Sequence, residues 1–136
     1  MRWGGAYAVG RSRRTNAEGI ARLAAELEPF GYRIQPVEVN GCLHLKSACC
    51  ALGSGVVLAN REWADTDVFH DVKVVEVPPE EAHAANVLAI GRTVLVAASF
   101  PRTAKLIENL GWTVRRLDIS ELMKAEAGLT CSTILL

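Results

Sequence analysis

The strongest constraint on this chain is a repeat. Phe30-Gly31-Tyr32-Arg33-Ile34-Gln35-Pro36-Val37-Glu38-Val39 and Leu110-Gly111-Trp112-Thr113-Val114-Arg115-Arg116-Leu117-Asp118-Ile119 follow one pattern of apolar, glycine, aromatic, β-branched, aliphatic, acidic and β-branched positions. Their glycines stand 80 residues apart, at 31 and 111. A weaker copy, Asp71-Val72-Lys73-Val74-Val75-Glu76-Val77, lies between them, so Glu38, Glu76 and Asp118 mark three units at spacings of 38 and 42 residues. Units of this size bury their apolar faces against one another, and the array has to close around a common axis.

Each unit predicts strand, strand, helix, strand. In the first, Ala6–Gly10 reads as a strand, Thr15 or Asn16 caps a helix from about Ala17 to Glu28, and Tyr32–Val39 is the closing strand. Ile20, Leu23, Ala24 and Leu27 give that helix one apolar face, and Pro36 marks a bend or an edge in the strand. The second predicts a strand over His44–Leu52, a Gly53-Ser54-Gly55 turn, Val56–Ala59, a short helix near Arg61–Val68 and the strand Val72–Val77. The third predicts Asn86–Ile90, a Gly91-Arg92 turn, Thr93–Ala98, a helix from Pro101 to Leu110 and the strand Trp112–Ile119. Ser120–Met123 reads as a helical turn, and Thr130–Leu136 as the first strand of a further unit. The expectation is one α/β domain over residues 1–136, with units at about 1–42, 43–85 and 86–129 and a final strand at 130–136. Ahead of Tyr7 there is room for one strand and not for a pair, which predicts truncation on the N-terminal side.

Composition narrows the partners. Fifteen basic and fifteen acidic residues cancel, and the densest basic run, Arg11-Ser12-Arg13-Arg14, has no aromatic interleaving, which argues against nucleic acid. Apolar runs such as Val94–Ser99 fall well short of the roughly 20 residues that span a bilayer, and the N-terminus has no apolar signal core. The expectation is a cytoplasmic protein with reduced thiols, because Cys42, Cys49, Cys50 and Cys131 follow neither a CxxC spacing nor a disulfide framework. Cys49 and Cys50 should face opposite sides of one strand.

Two residues stand out as chemistry. Taken alone, Cys131 in a terminal apolar run reads as core filler, and His44 as a hydrogen-bonded strand histidine. The sharper alternative pairs them, since equivalent positions of successive units meet near the axis. An imidazole beside a thiol favours the thiolate and can later protonate a leaving group. Zinc held by Cys42, His44 and Cys131 lacks a fourth ligand and a motif spacing, so no metal is expected.

Leu43-His44-Leu45-Lys46-Ser47, Leu129-Thr130-Cys131-Ser132 and Ser12-Arg13-Arg14-Thr15-Asn16, in this chain, together resemble the dimethylarginine dimethylaminohydrolases of the wider guanidine-modifying superfamily. The resemblance implies a partial α/β propeller (pentein) comprising about three of five strand-strand-helix-strand units. It implies a hydrolase that converts Nω,Nω-dimethylarginine to citrulline and dimethylamine without a cofactor. Cys131 would be the nucleophile, His44 the acid and base, Arg14 the anchor of the substrate α-carboxylate, and Glu126 a further substrate contact. It also implies that the carboxylates that hold the guanidinium belong to N-terminal units that this sequence lacks. Ala127 stands where a glycine is common, which predicts strain in a loop that needs positive φ.

Two other expectations compete. An inactive or partner-dependent module would self-associate or bind a protein supplying the missing units, because open strand edges and apolar surface invite covering. Deimination of arginine or amidino transfer would use the same cysteine and histidine on a different guanidine substrate.

Overall fold

The computed structural model describes residues 1–3 and 6–134. Its described strands form three sheets of three strands each. The first holds β1 (Arg2–Trp3), β2 (Ala6–Arg11) and β3 (Arg33–Glu38). The second holds β4 (Cys49–Gly53), β5 (Val56–Ala59) and β6 (Lys73–Glu76), and the third holds β7 (Leu88–Ile90), β8 (Thr93–Ala97) and β9 (Thr113–Leu117). In every sheet the first two strands pair antiparallel and the last two parallel. A parallel pair needs a crossover, which α1 (Ala17–Leu27) supplies in the first sheet and α3 (Pro101–Asn109) in the third. The first unit therefore does have a strand pair, since two residues of β1 suffice to open it.

The repeated Gly-aromatic pair ends a helix in the same way twice. Gly31 and Gly111 adopt φ of 77° and 94°. Gly31 N–H donates to Glu28 O and Tyr32 N–H to Leu27 O, while Gly111 N–H donates to Glu108 O and Trp112 N–H to Ile107 O. This 5→2 and 6→1 pairing is the Schellman motif, in which the left-handed residue is usually glycine. A third copy closes α4 (Ser120–Lys124), where Glu126 N–H donates to Met123 O and Ala127 N–H to Leu122 O. There Glu126 takes the left-handed position, at φ 56°. The expectation that the strained position is 127 is thus corrected to Glu126. Because a side chain in this region costs about 1 kcal/mol and glycine gives back part of that as chain entropy, Glu126→Gly should stabilise the fold by roughly 0.5–1 kcal/mol. A melting temperature a few degrees higher would show it.

Three further expectations are corrected. His44–Leu52 is not one strand, because Leu45–Ala48 forms the short helix α2 before β4 begins. No helix forms over 61–68, since Asn60 Oδ1 accepts from Glu62 N–H and Asp65 Oδ1 from Asp67 N–H, two local turns that compete with helical bonding. This loop is also stitched to the first unit, with Asn40 N–H on Trp63 O and Asp65 N–H on Glu38 O. Finally, the predicted strand over Thr130–Leu136 is replaced by a 3-10 turn at Leu129–Ser132, and Leu135 and Leu136 lie outside the described residues. Ser132 and Thr133 hydroxyls donate to the Gly128 and Leu129 carbonyls, which holds the backbone in a turn.

Two cores fill the spaces between sheets. One gathers Leu52, Leu58, Val75, Val94, Val96, Ala104 and Ile107 beneath α3, and the other gathers Val37, Val57, Ala59, Leu45 and Phe69 beside α2. Cys49 points into the second core and Cys50 packs against the first, so the two do face opposite sides of β4. Burial pushes the Cys49 thiol up to about 12 and the Cys50 thiol to about 11, from an ordinary 9.0. Both stay neutral in the folded chain at pH values where they ionise in the unfolded chain. Stability is therefore full below about pH 9 and is lost as pH rises towards 11–12, by up to about 1.4 kcal/mol per pH unit for each thiol. Urea titrations at pH 8 and 10 should give a lower midpoint at pH 10, and Cys49→Ala should shrink that difference.

Candidate active site

The four residues singled out by sequence lie on three loops tied together by long-range hydrogen bonds. Beyond β2, Ser12 and Thr15 bond across a tight turn, and Arg14 N–H donates to Ser12 Oγ at 3.1 Å. The same hydroxyl donates to Leu43 O at 2.8 Å, fixing the Arg14 turn against the residue before His44. Arg14 is exposed and makes no ion pair among the described residues. Its guanidinium fork is free for an incoming anion.

His44 is the cap residue of α2, with extended backbone and an exposed side chain. Its carbonyl is occupied, accepting from Ser47 N–H and from Cys42 Sγ. Cys42 is thereby engaged, and burial raises its thiol above the ordinary range. The helix can seat here because Gly10 leaves room. A Cβ at Gly10 would lie 2.9 Å from Leu45 Cβ, so only glycine lets β2 approach α2 this closely.

Two residues after His44, in α2, Lys46 Nζ donates to Thr130 O at 3.4 Å across 84 residues of sequence. That bond joins the histidine loop to the cysteine turn. Cys131 is exposed on the turn, its N–H donating to Gly128 O at 3.1 Å. Glu126 is exposed three residues before Leu129, on the left-handed end of α4. Among the described residues, no group of three histidine, cysteine or acidic side chains is placed to hold a metal ion. Surface concavities lined by Tyr32, His70 and Asp71 and by Pro78, Pro101 and Lys105 lie elsewhere and include none of the four residues.

Sequence inspection missed Asn86. Its side-chain Oδ1 accepts from Thr130 N–H at 3.0 Å and from Thr130 Oγ1 at 2.9 Å, and its Nδ2 lies 3.9 Å from Cys131 Sγ. Nothing in the stretch Ala84-Ala85-Asn86-Val87 marks this contact locally, because the partner is 45 residues away. The only clue is a polar residue set between apolar neighbours that are fully buried.

The chain as a whole is similar to known proteins. The chain is 42% identical over 127 residues to an N(G),N(G)-dimethylarginine dimethylaminohydrolase of Streptomyces coelicolor, covering 93% of this chain and 48% of the relative. It is 35% identical over 134 residues to the N(G),N(G)-dimethylarginine dimethylaminohydrolase of Pseudomonas aeruginosa, covering 98% of this chain and 53% of the relative. A solved structure of the Pseudomonas aeruginosa protein, a cysteine-to-serine mutant complexed with citrulline, superposes with a TM-score of 0.89 over 96% of this chain and 51% of that one. The chain is a relative of the dimethylarginine dimethylaminohydrolases.

It spans about half the length of the dimethylarginine dimethylaminohydrolases it matches. An amidinotransferase of a saxitoxin biosynthetic pathway from Microseira wollei shares the fold at a TM-score of 0.87 and 22% identity, covering 98% of this chain and 44% of that one. The α/β architecture of three like sheets is thus shared with this amidinotransferase as well as with the Pseudomonas aeruginosa protein. No protein-family model matches the chain.

Proposed function

We propose that the chain carries the nucleophile and the acid/base of a dimethylarginine dimethylaminohydrolase. The observation that supports this best is the bond from Lys46 to Thr130, which draws the His44 loop and the Cys131 turn together. The kinship with the dimethylarginine dimethylaminohydrolases supports a methylated arginine as the substrate class.

A guanidinium carbon is a poor electrophile, so the reaction needs a soft, strong nucleophile together with an acid for the leaving nitrogen. The Cys131 thiolate would add to the central carbon of the Nω,Nω-dimethylarginine guanidinium, forming a C–S bond. His44, as imidazolium, would give its proton to the dimethylamino nitrogen. The C–N bond then breaks, dimethylamine leaves and a thiouronium remains on sulfur. The now neutral His44 would take a proton from water, whose oxygen attacks the same carbon. The C–S bond breaks and the thiolate returns as the remaining hydroxyl proton passes through solvent to the released dimethylamine, and citrulline leaves. Arg14 would pair with the substrate α-carboxylate through two parallel N–H bonds, which suits its free guanidinium. Glu126 would contact substrate from the other loop. A non-glycine residue held in left-handed backbone beside the cysteine turn is the kind of strain that accompanies such sites.

The guanidinium carboxylates that the family resemblance implies would come from another chain or segment of the assembly. The test is citrulline formation from Nω,Nω-dimethylarginine by the purified chain, alone and in whatever assembly contains it. Turnover in either supports the reading. None from a folded assembly contradicts it.

A further inference from the structure

Asn86 lies two residues before β7 on a buried platform. Ala84, Ala85 and Val87 around it are fully buried, and the Val87 carbonyl accepts from Cys50 Sγ at 3.1 Å, which ties the platform to the second sheet. From there the Asn86 side chain reaches the cysteine turn by two bonds to Thr130 and one approach to Cys131. A backbone N–H can only donate, so the bond from Thr130 N–H fixes the amide oxygen on that side. The amide nitrogen is left facing Sγ.

Gly128 makes this approach sterically feasible. A Cβ at Gly128 would fall 2.5 Å from Asn86 Nδ2 and 2.6 Å from Asn86 Cγ. The turn is therefore laid directly against the amide, and any larger residue at 128 would lift it away.

We infer that Asn86 is the positioning residue for the Cys131 nucleophile, its oxygen clamping the turn through Thr130 while its N–H is aimed at Sγ. The inference rests on the proposed role of Cys131. An N–H donor supports a thiolate more strongly than a thiol and also fixes the direction from which sulfur attacks. The contacts of Asn86 at this site are to Thr130 and Cys131, so it acts through the cysteine.

The test compares the native chain with Asn86→Asp and Asn86→Leu. The aspartate keeps an oxygen for Thr130 but loses the donor, and the leucine loses both. The readout is the rate at which iodoacetamide alkylates Cys131 near neutral pH, followed by peptide mass spectrometry, with thermal melts alongside. Asn86→Asp should melt within about 2 °C of native and alkylate about 10-fold more slowly, and the slowing should persist at about 1 M salt, where repulsion by the new carboxylate is screened. Asn86→Leu should both melt lower and alkylate slowly. A native alkylation rate in Asn86→Asp overturns the inference whether or not citrulline forms. Slowed alkylation in variants of a chain that makes no citrulline upholds the positioning role and counts against the proposed reaction.

Discussion

Cys131→Ser should abolish citrulline formation, with turnover falling about 10⁴-fold or more. Serine keeps the size and the hydrogen-bonding capacity of the side chain, so the turn at Leu129–Ser132 should survive. What is lost is the proposed nucleophile. A hydroxyl is scarcely ionised near neutral pH, and a single imidazole cannot make it attack a carbon already stabilised by three nitrogens. A fall of that size corresponds to about 5.5 kcal/mol of transition-state stabilisation, far above what loss of one neutral hydrogen bond would cause. The measurement is citrulline per unit time in matched assemblies, with circular dichroism confirming equal folding. Turnover within a few-fold of native in the serine variant would place the chemistry elsewhere.

The second large effect concerns stability. Glu81 is buried, yet its carboxylate caps α3 from outside the helix: Oε1 accepts from Arg102 N–H at 2.9 Å and Oε2 from Thr103 N–H at 2.7 Å. The helix has no side-chain cap of its own, and Pro101 at its first turn has no N–H to satisfy. The negative charge also lies at the positive end of the helix dipole. Glu81→Ala would leave two N–H groups without partners in a region from which water is excluded, at a cost of about 3 kcal/mol. The melting temperature should fall by roughly 10 °C. Glu81→Gln retains one acceptor oxygen and should recover part of that loss. If the alanine variant melts with the native chain, the cap contributes nothing.

Most of the strand framework was legible because it is written in local, repeated chemistry. The pairs Gly31-Tyr32 and Gly111-Trp112 are helix stops with left-handed glycine, and each announces a strand directly after it. Pro36 in β3 fits for a related reason. That strand is at the edge of its sheet, where the missing N–H costs no ladder bond. The failures arise where a distant contact decides. Asn60 spends its side chain on Glu62 N–H and Ala82 O, so a stretch with helical composition turns back on itself instead. His44 was expected to lie in a strand, but Leu45 is drawn onto Gly10 and the chain coils into α2.

The candidate site was legible as residues and not as an arrangement. Cys131, His44 and Arg14 carry chemistry in their side chains and stand in recognisable short motifs. The parts that position them, Asn86 on Thr130, Lys46 on Thr130 and Ser12 on Leu43, are ordinary polar residues whose partners are 31 to 84 positions away. Only folding makes them neighbours.

The most direct test of the central claim is to look for the covalent intermediate. The chain, in its assembly, is incubated with Nω,Nω-dimethylarginine, quenched in acid and digested, and the peptide that contains Cys131 is weighed. The expected result is a gain equal to substrate less dimethylamine on Cys131, scarcer in His44→Gly, where the leaving nitrogen is no longer protonated, and absent from Cys131→Ser. Citrulline formation with the gain on another residue, or a folded assembly that gives neither citrulline nor gain, would contradict the account.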